Sequence, residues 1–281
     1  MEKIHLIVDL KKCVGCYNCM IACKDEHVGN SWLPYTDEQQ KHGQKWINPI
    51  KFERGAVPHT EIGFVTKLCQ HCRKAPCATS RPEVISRRKD GVVIIDAKKA
   101  KGDKSLVDSC PYGMISWNEE LETAQKCTMC AHLLDDGWKE PRCVGACPLR
   151  ALRMVRCEDE EFERMVRDLL LKPLTDGSNA PRVMYRNLYK KDTCFIAGAL
   201  ALHDGEIKRT AEGAEVELRL GGELLTKVRA DFFGEFKIDR IPQKSGTFEL
   251  TCKLSGYKPI VTEVTVEESS PCLETMYFEK N

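Results

Sequence analysis

Cys13-Val14-Gly15-Cys16-Tyr17-Asn18-Cys19-Met20-Ile21-Ala22-Cys23 is the stretch that decides how this chain folds. Its spacing, Cys-x2-Cys-x2-Cys-x3-Cys, is a run that holds cubane iron–sulfur clusters, the last cysteine ligating the other cluster of a pair. A chain built on such runs wraps loops and single helical turns around inorganic cores, and it should not fold without metal.

Three further blocks lie outward from this run. Cys69-x2-Cys72-x4-Cys77 is followed by Arg81-Pro82 where a fourth Cys-Pro would stand. Cys127-x2-Cys130-x12-Cys143-x3-Cys147-Pro148 is complete, with a longer internal loop. Cys110-Pro111 stands alone, but an internal repeat accounts for it: Val8-Asp9-Leu10-Lys11-Lys12-Cys13 recurs as Ile95-Asp96-Ala97-Lys98-Lys99-Ala100. Carried on from Ala100, the first block's spacing falls on Ala100, Asp103, Leu106 and Cys110.

Paired as in a double ferredoxin, the blocks give three complete ligand sets. Cys13, Cys16 and Cys19 take Cys147; Cys127, Cys130 and Cys143 take Cys23; Cys69, Cys72 and Cys77 take Cys110. A fourth set would need Arg81, Ala100, Asp103 and Leu106, and none is a cysteine. All the missing ligands belong to one cluster, which random decay would not produce. The expectation is three [4Fe–4S] clusters beside an erased fourth site filled by Arg81 and Leu106.

Two other readings of dense cysteines are weaker. Disulfides belong to secreted chains, whereas here Ile4-His5-Leu6-Ile7-Val8 reads as a strand at the N-terminus, with no signal peptide. Structural zinc uses similar spacing, but the interlocked offsets and the proline after Cys110 and Cys147 favour iron–sulfur runs. His71 invites a Rieske-type role; with four cysteines available to its cluster, a solvated or hydrogen-bonding role is expected instead. Cys157, Cys194, Cys252 and Cys272 show no ligand spacing and read as small buried hydrophobes.

The 281 residues suffice for two domains. Basic and acidic residues, 43 against 42, nearly cancel, which argues against a nucleic-acid binder working by global charge. No apolar run approaches the roughly 20 residues of a membrane span, and no twin-Arg leader is seen. A reducing, cytoplasmic compartment is expected, with co-export alongside a partner left open. No G-x-G-x-x-G fingerprint marks a flavin or nicotinamide site.

The expected fold class is α+β: a double-ferredoxin-like cluster domain over residues 1–155, then an all-β sandwich. Within the first, residues 24–68 form an insertion carrying Trp32, Tyr35, Trp46 and Phe52, either a private mini-core or anchors for a partner. Residues 156–194 hold a helix and an extended connector; Phe162, Met165, Val166, Leu169 and Leu170 recur at helical steps across Cys157–Lys172. Residues 195–281 alternate with period two between glycine-marked turns, as in Ala214-Glu215-Val216-Glu217-Leu218-Arg219-Leu220, and read as a sandwich of about seven strands. Phe232-Phe233-Gly234-Glu235-Phe236 is its expected core corner.

The cluster pattern resembles the iron–sulfur electron-transfer subunits of the molybdopterin oxidoreductases related to dimethyl sulfoxide reductase. Those usually hold four clusters in two interlocked pairs; this chain departs by losing one. Cys110-Pro111-Tyr112-Gly113, Trp117-Asn118-Glu119-Glu120 and Ala124-Gln125-Lys126-Cys127-Thr128-Met129-Cys130 narrow the resemblance to the transhydroxylase branch, as does Asp231-Phe232-Phe233-Gly234-Glu235-Phe236 in the tail. The resemblance implies a transthyretin-like C-terminal domain. It also implies a large catalytic partner with molybdenum or tungsten on two pyranopterin guanine dinucleotides, and phenolic aromatics as substrates for transhydroxylation, hydroxylation or dehydroxylation. No catalytic residue is expected on this chain. Its clusters would pass single electrons at potentials set by hydrogen bonds to sulfur, burial and charge, and Lys11, Lys12, Lys24 and Lys126 flank the cysteines as candidate tuning cations. An independent ferredoxin shuttling electrons between enzymes is the alternative; its small acidic docking surface is missing from this composition. A purely structural iron–sulfur role needs fewer clusters.

Overall fold

A computed structural model describes residues 2–204 and 207–281. They form two compact units, Met1–Lys51 with Gly63–Leu188, and Phe52–Ile62 with Tyr189–Asn281. The connector read over residues 156–194 is thereby divided. Its helix and the strand Val183–Arg186 belong to the first unit, and Tyr189 onward to the second.

The first unit is mixed α/β. Its three-stranded sheet has Lys3–Asp9 in the centre, antiparallel to Leu152–Cys157 and parallel to Val183–Arg186. Every residue of Ile4–Val8 is buried, so the strand reads as a continuous run without alternation. The register places Val8 opposite Leu152. Cys13 follows Val8 by five residues and Cys147 precedes Leu152 by five, so the antiparallel pairing returns the end of the last block to the start of the first. Two hairpins, Ile85–Arg87 with Val93–Ile95 and Ser116–Asn118 with Thr123–Gln125, pack around Cys72, Cys77 and Cys110.

Helix Asn18–His27 carries Cys19 and Cys23. The chain enters it through left-handed backbone at Gly15 (φ 68°) and Tyr17 (φ 60°). Gly15 is required twice over: an added Cβ would also lie 2.2 Å from the Phe64 ring. The helix expected over Cys157–Lys172 is shorter, Asp159–Asp168. Cys157 still pairs with Lys3 in the sheet, which delays the start, and Leu170 lies beyond the end, 79% exposed. Asp159, Glu160 and Glu161 fill its first turn, where they meet the positive helix end. Phe162 stacks on His5 with centroids 3.8 Å apart.

The aromatic insertion supplies its own packing. Trp46 is buried and its ring lies 4.7 Å from His27; Trp32 stacks on His132 at 4.4 Å; Tyr35 donates to Asp135 at 2.6 Å. These contacts account for three of the four aromatics as an internal mini-core; Phe52 belongs to the second unit.

The described residues of the second unit's C-terminal part form eight strands in two four-stranded sheets. In one, Thr193–Asp204 pairs with Ile207–Thr210, Glu235–Pro242 and, in parallel, Met276–Phe278. The other runs Glu223–Arg229, Glu215–Leu220, Gly246–Lys253, Ile260–Val266. Ile196, Leu200, Phe236 and Ile238 of the first sheet share one apolar core with Val216, Leu218, Leu250 and Val264 of the second. Of the three aromatics of the expected core corner only Phe236 is buried. Phe232 and Phe233 are each 69% exposed, because the Asp231 carboxylate accepts the N–H groups of Phe233 and Glu235 and turns the intervening residues outward. Cys157, Cys194 and Cys252 are buried, and Cys272 is half-buried.

Candidate iron–sulfur centres

The cysteines of the four blocks gather in the first unit as three groups. Cys13, Cys16, Cys19 and Cys147 line one cleft, together with Val14, Leu149 and other apolar residues. Burial, and then repulsion of a second negative charge by Cys13, Cys147 and Cys16, pushes the Cys19 thiol up to about 12. Burial also holds Cys143 well above its ordinary value, with Cys130, Cys127 and Cys23 as its nearest electrostatic neighbours. Cys72, pushed up to about 12 by burial, feels Cys69, Cys77 and Cys110.

The groups also touch one another electrostatically in a definite order. Cys23 and Cys143, of the second group, both feel Cys19 of the first. Cys127, also of the second, is raised to about 11 by burial and then by Cys69 of the third. The group of Cys127 therefore neighbours both of the others. Cys19 and Cys23 stand four residues apart on one helix yet join different groups, so Asn18–His27 ties the first group to the second.

This donor set fits iron–sulfur clusters. Buried thiols crowded together cannot ionise as a set without cations, and iron supplies them while releasing the protons. Backbone N–H groups already aim at sulfur, from Ala151 to Cys147 at 3.2 Å, Met129 to Cys127 at 3.4 Å and Met114 to Cys110 at 3.4 Å. Among the described residues no three His, Cys, Asp or Glu side chains converge on one bare ion; in a cubane each thiolate binds its own iron, so the sulfurs stand apart. Cys16 is exposed, and Val14, Ile21 and Leu149 are exposed too. The third group is covered: Cys69, Cys72 and Cys77 are buried and Cys110 is half-buried.

The four positions without cysteine form no cavity-lining donor set. Ala100 and Leu106 are fully buried in an apolar cluster with Cys72, Cys77, Ile85, Val93 and Ile95. Arg81 pairs with Asp103 at 3.7 Å and donates to Ser105 at 3.0 Å.

Polar groups between the ligands were less legible. His71 is buried rather than solvated; its Nδ1 accepts the Val93 N–H at 3.1 Å, so its proton sits on Nε2, which has no protein partner. The buried Thr128 hydroxyl, between Cys127 and Cys130, also lacks one. Of the flanking lysines, Lys11 and Lys12 are exposed, Lys24 is half-buried and donates to Gln40 O at 2.6 Å, and Lys126 is buried.

Residues 60–157 match the model of a family described as 4Fe-4S dicluster domain. The chain belongs to the iron–sulfur electron-transfer subunits of the dimethyl sulfoxide reductase family of molybdopterin oxidoreductases. It is 39% identical to the pyrogallol hydroxytransferase small subunit of Pelobacter acidigallici, over 93% of this chain and 95% of that one. It is 30% identical to the electron transfer subunit of thiosulfate reductase from Salmonella typhi, over 57% of this chain and 80% of the relative. The iron–sulfur subunit of arsenate respiratory reductase from a Shewanella species is 26% identical, over 69% and 100%. No helix among the described residues is long and apolar enough to cross a membrane.

Proposed function

We propose that this chain holds three [4Fe–4S] clusters on the twelve cysteines grouped above and carries electrons for a large molybdopterin subunit acting on phenolic aromatics. The carrying observation is the gathering of twelve thiols into three neighbouring groups of four, one of which holds the exposed Cys16. Neighbouring one-electron sites with one exposed group suit a fixed redox partner. Electrons enter or leave where Cys16, Val14, Ile21 and Leu149 face outward, and an apolar rim there excludes water once a partner covers it. Cluster residues 1–155, connector 156–194 and a transthyretin-like sandwich over 195–281 remain our assignment of the domains, the last supported by two sheets that share one core.

The phenolic substrate class rests on likeness to the pyrogallol hydroxytransferase small subunit along nearly the whole length of both chains. The molybdenum or tungsten, its two pyranopterins and the catalytic residues would be the partner's. We place the complex in the cytoplasm. Anaerobic purification from the native host tests the reading: about twelve iron atoms on this chain, with an equimolar large partner that carries molybdenum or tungsten, is the expected result. The same iron on a chain that purifies alone would favour a free ferredoxin, and zinc would overturn both.

A further inference from the structure

Lys126 is 2% exposed, a rare position for an ammonium group. Its Nζ donates to the carbonyl of Val93 and to that of Cys127 at 3.0 Å. Among the described residues no Asp or Glu pairs with it. Two carbonyl dipoles orient the group but carry no net charge. Burying an ammonium without a counter-ion is strongly unfavourable, so its countercharge must come from elsewhere in this interior.

The surroundings identify the source. Val93, whose carbonyl receives the ammonium, also donates its N–H to His71, which lies between Cys69 and Cys72 of the third group. Lys126 itself precedes Cys127 of the second group. Val93 also packs in one cluster with Cys72, Cys77 and Cys110 of the third group. Four thiolates outweigh the charge of the iron–sulfide core they bind, so an assembled cluster is an anion, and each one-electron reduction adds one further negative charge.

We propose that Lys126 is the shared countercharge of the second and third clusters, raising the reduction potential of both while leaving the first cluster unaffected. This rests on the three-cluster assignment above. Lys126 is a positioning and tuning residue that touches no substrate. The electron itself comes from the partner enzyme's redox centre, or from dithionite in the assay.

The test is potentiometric EPR on the anaerobically purified complex carrying Lys126→Gln or Lys126→Arg, with iron counted in each. In Lys126→Gln, about twelve irons should remain and two of the three cluster midpoints should fall. A tenfold or larger change in each reduction equilibrium is expected, about 59 mV or more per one-electron step, with the third midpoint unmoved. Lys126→Arg, which keeps the charge, should restore both. Full iron content with unmoved midpoints overturns the proposal, as does a uniform shift of all three. If Lys126→Gln loses iron, Lys126→Arg decides: recovery of three clusters near wild-type potentials supports the countercharge, and failure to recover them overturns it. Wild-type protein with fewer than three clusters would instead sink the assignment beneath.

Discussion

The Arg81 guanidinium lies 3.7 Å from the Asp103 carboxylate, and these are two of the four positions where a fourth cluster would take its ligands. The other two, Ala100 and Leu106, are fully buried beside Cys72 and Cys77. A fourth site at these positions would thus have an apolar floor and a charged rim. Both rim side chains are more than a third exposed, and such pairs contribute roughly 0–1 kcal/mol. Arg81→Ala should therefore cost less than about 1 kcal/mol, whereas Leu106→Ala should cost about 2–5 kcal/mol. Anaerobic denaturant titration separates the two.

Restoring cysteine at all four positions, through Arg81→Cys, Ala100→Cys, Asp103→Cys and Leu106→Cys together, should admit a further cluster. Iron should rise from about twelve to about sixteen atoms per chain. Unchanged iron in a folded variant would count against the interlocking scheme.

Gly15→Ala should disturb the first cluster alone. The position needs φ near 68°, and a Cβ there would press on the Phe64 ring. A cost of about 1 kcal/mol or more is expected from the backbone strain. Iron analysis after mild oxygen exposure should show about four atoms lost faster than in the wild type.

Ligand exchange between blocks predicts which signal each cysteine controls. Cys23→Ser should alter the cluster on Cys127, Cys130 and Cys143, although Cys23 follows Cys19 by one helical turn. Cys147→Ser should alter the cluster on Cys13, Cys16 and Cys19. EPR of the reduced variants would refute the pairing if each substitution instead disturbed the cluster of its own block.

His5 gives the first unit a pH dependence. Burial lowers its pKa to about 4, with Arg182 adding to the effect, so the folded state keeps the ring neutral against Phe162. The unfolded chain binds a proton near pH 6.5, so stability is full above that value and falls as pH drops from 6.5 towards 4. Between pH 7.5 and 5.5 the loss should be about 1.4 kcal/mol. Thermal unfolding of the anaerobic holoprotein should show this loss, and His5→Phe should abolish it. An equal loss in the variant would assign the effect to other groups.

Much of the first unit was legible because ligand spacing is a local property. Cys-x2-Cys spacing recurs in three blocks and marks thiols that can face one core, and the repeat at Val8–Cys13 and Ile95–Ala100 points to a missing set. The β character of the C-terminal part followed from its alternation for the same reason. Misplacements arose where distant packing overrode local pattern. Cys157 was drawn into the sheet by Lys3, shortening a helix its own sequence would extend. Phe232 and Phe233 were turned outward by one carboxylate, Asp231, against their hydrophobicity.

The sequence by its own pattern marked the cysteines that stand together within a block, because short spacings survive any arrangement of the rest, whereas the fold joins distant blocks, as when Val8 opposite Leu152 returns Cys147 to Cys13. The tertiary structure decided which charges lie among them. Four lysines flank the cysteine blocks with equal claim on paper, yet only Lys126 is buried, since the strand carrying Val93 closes over it. Burial is set by what the distant chain brings, and charge matters most where water has been removed.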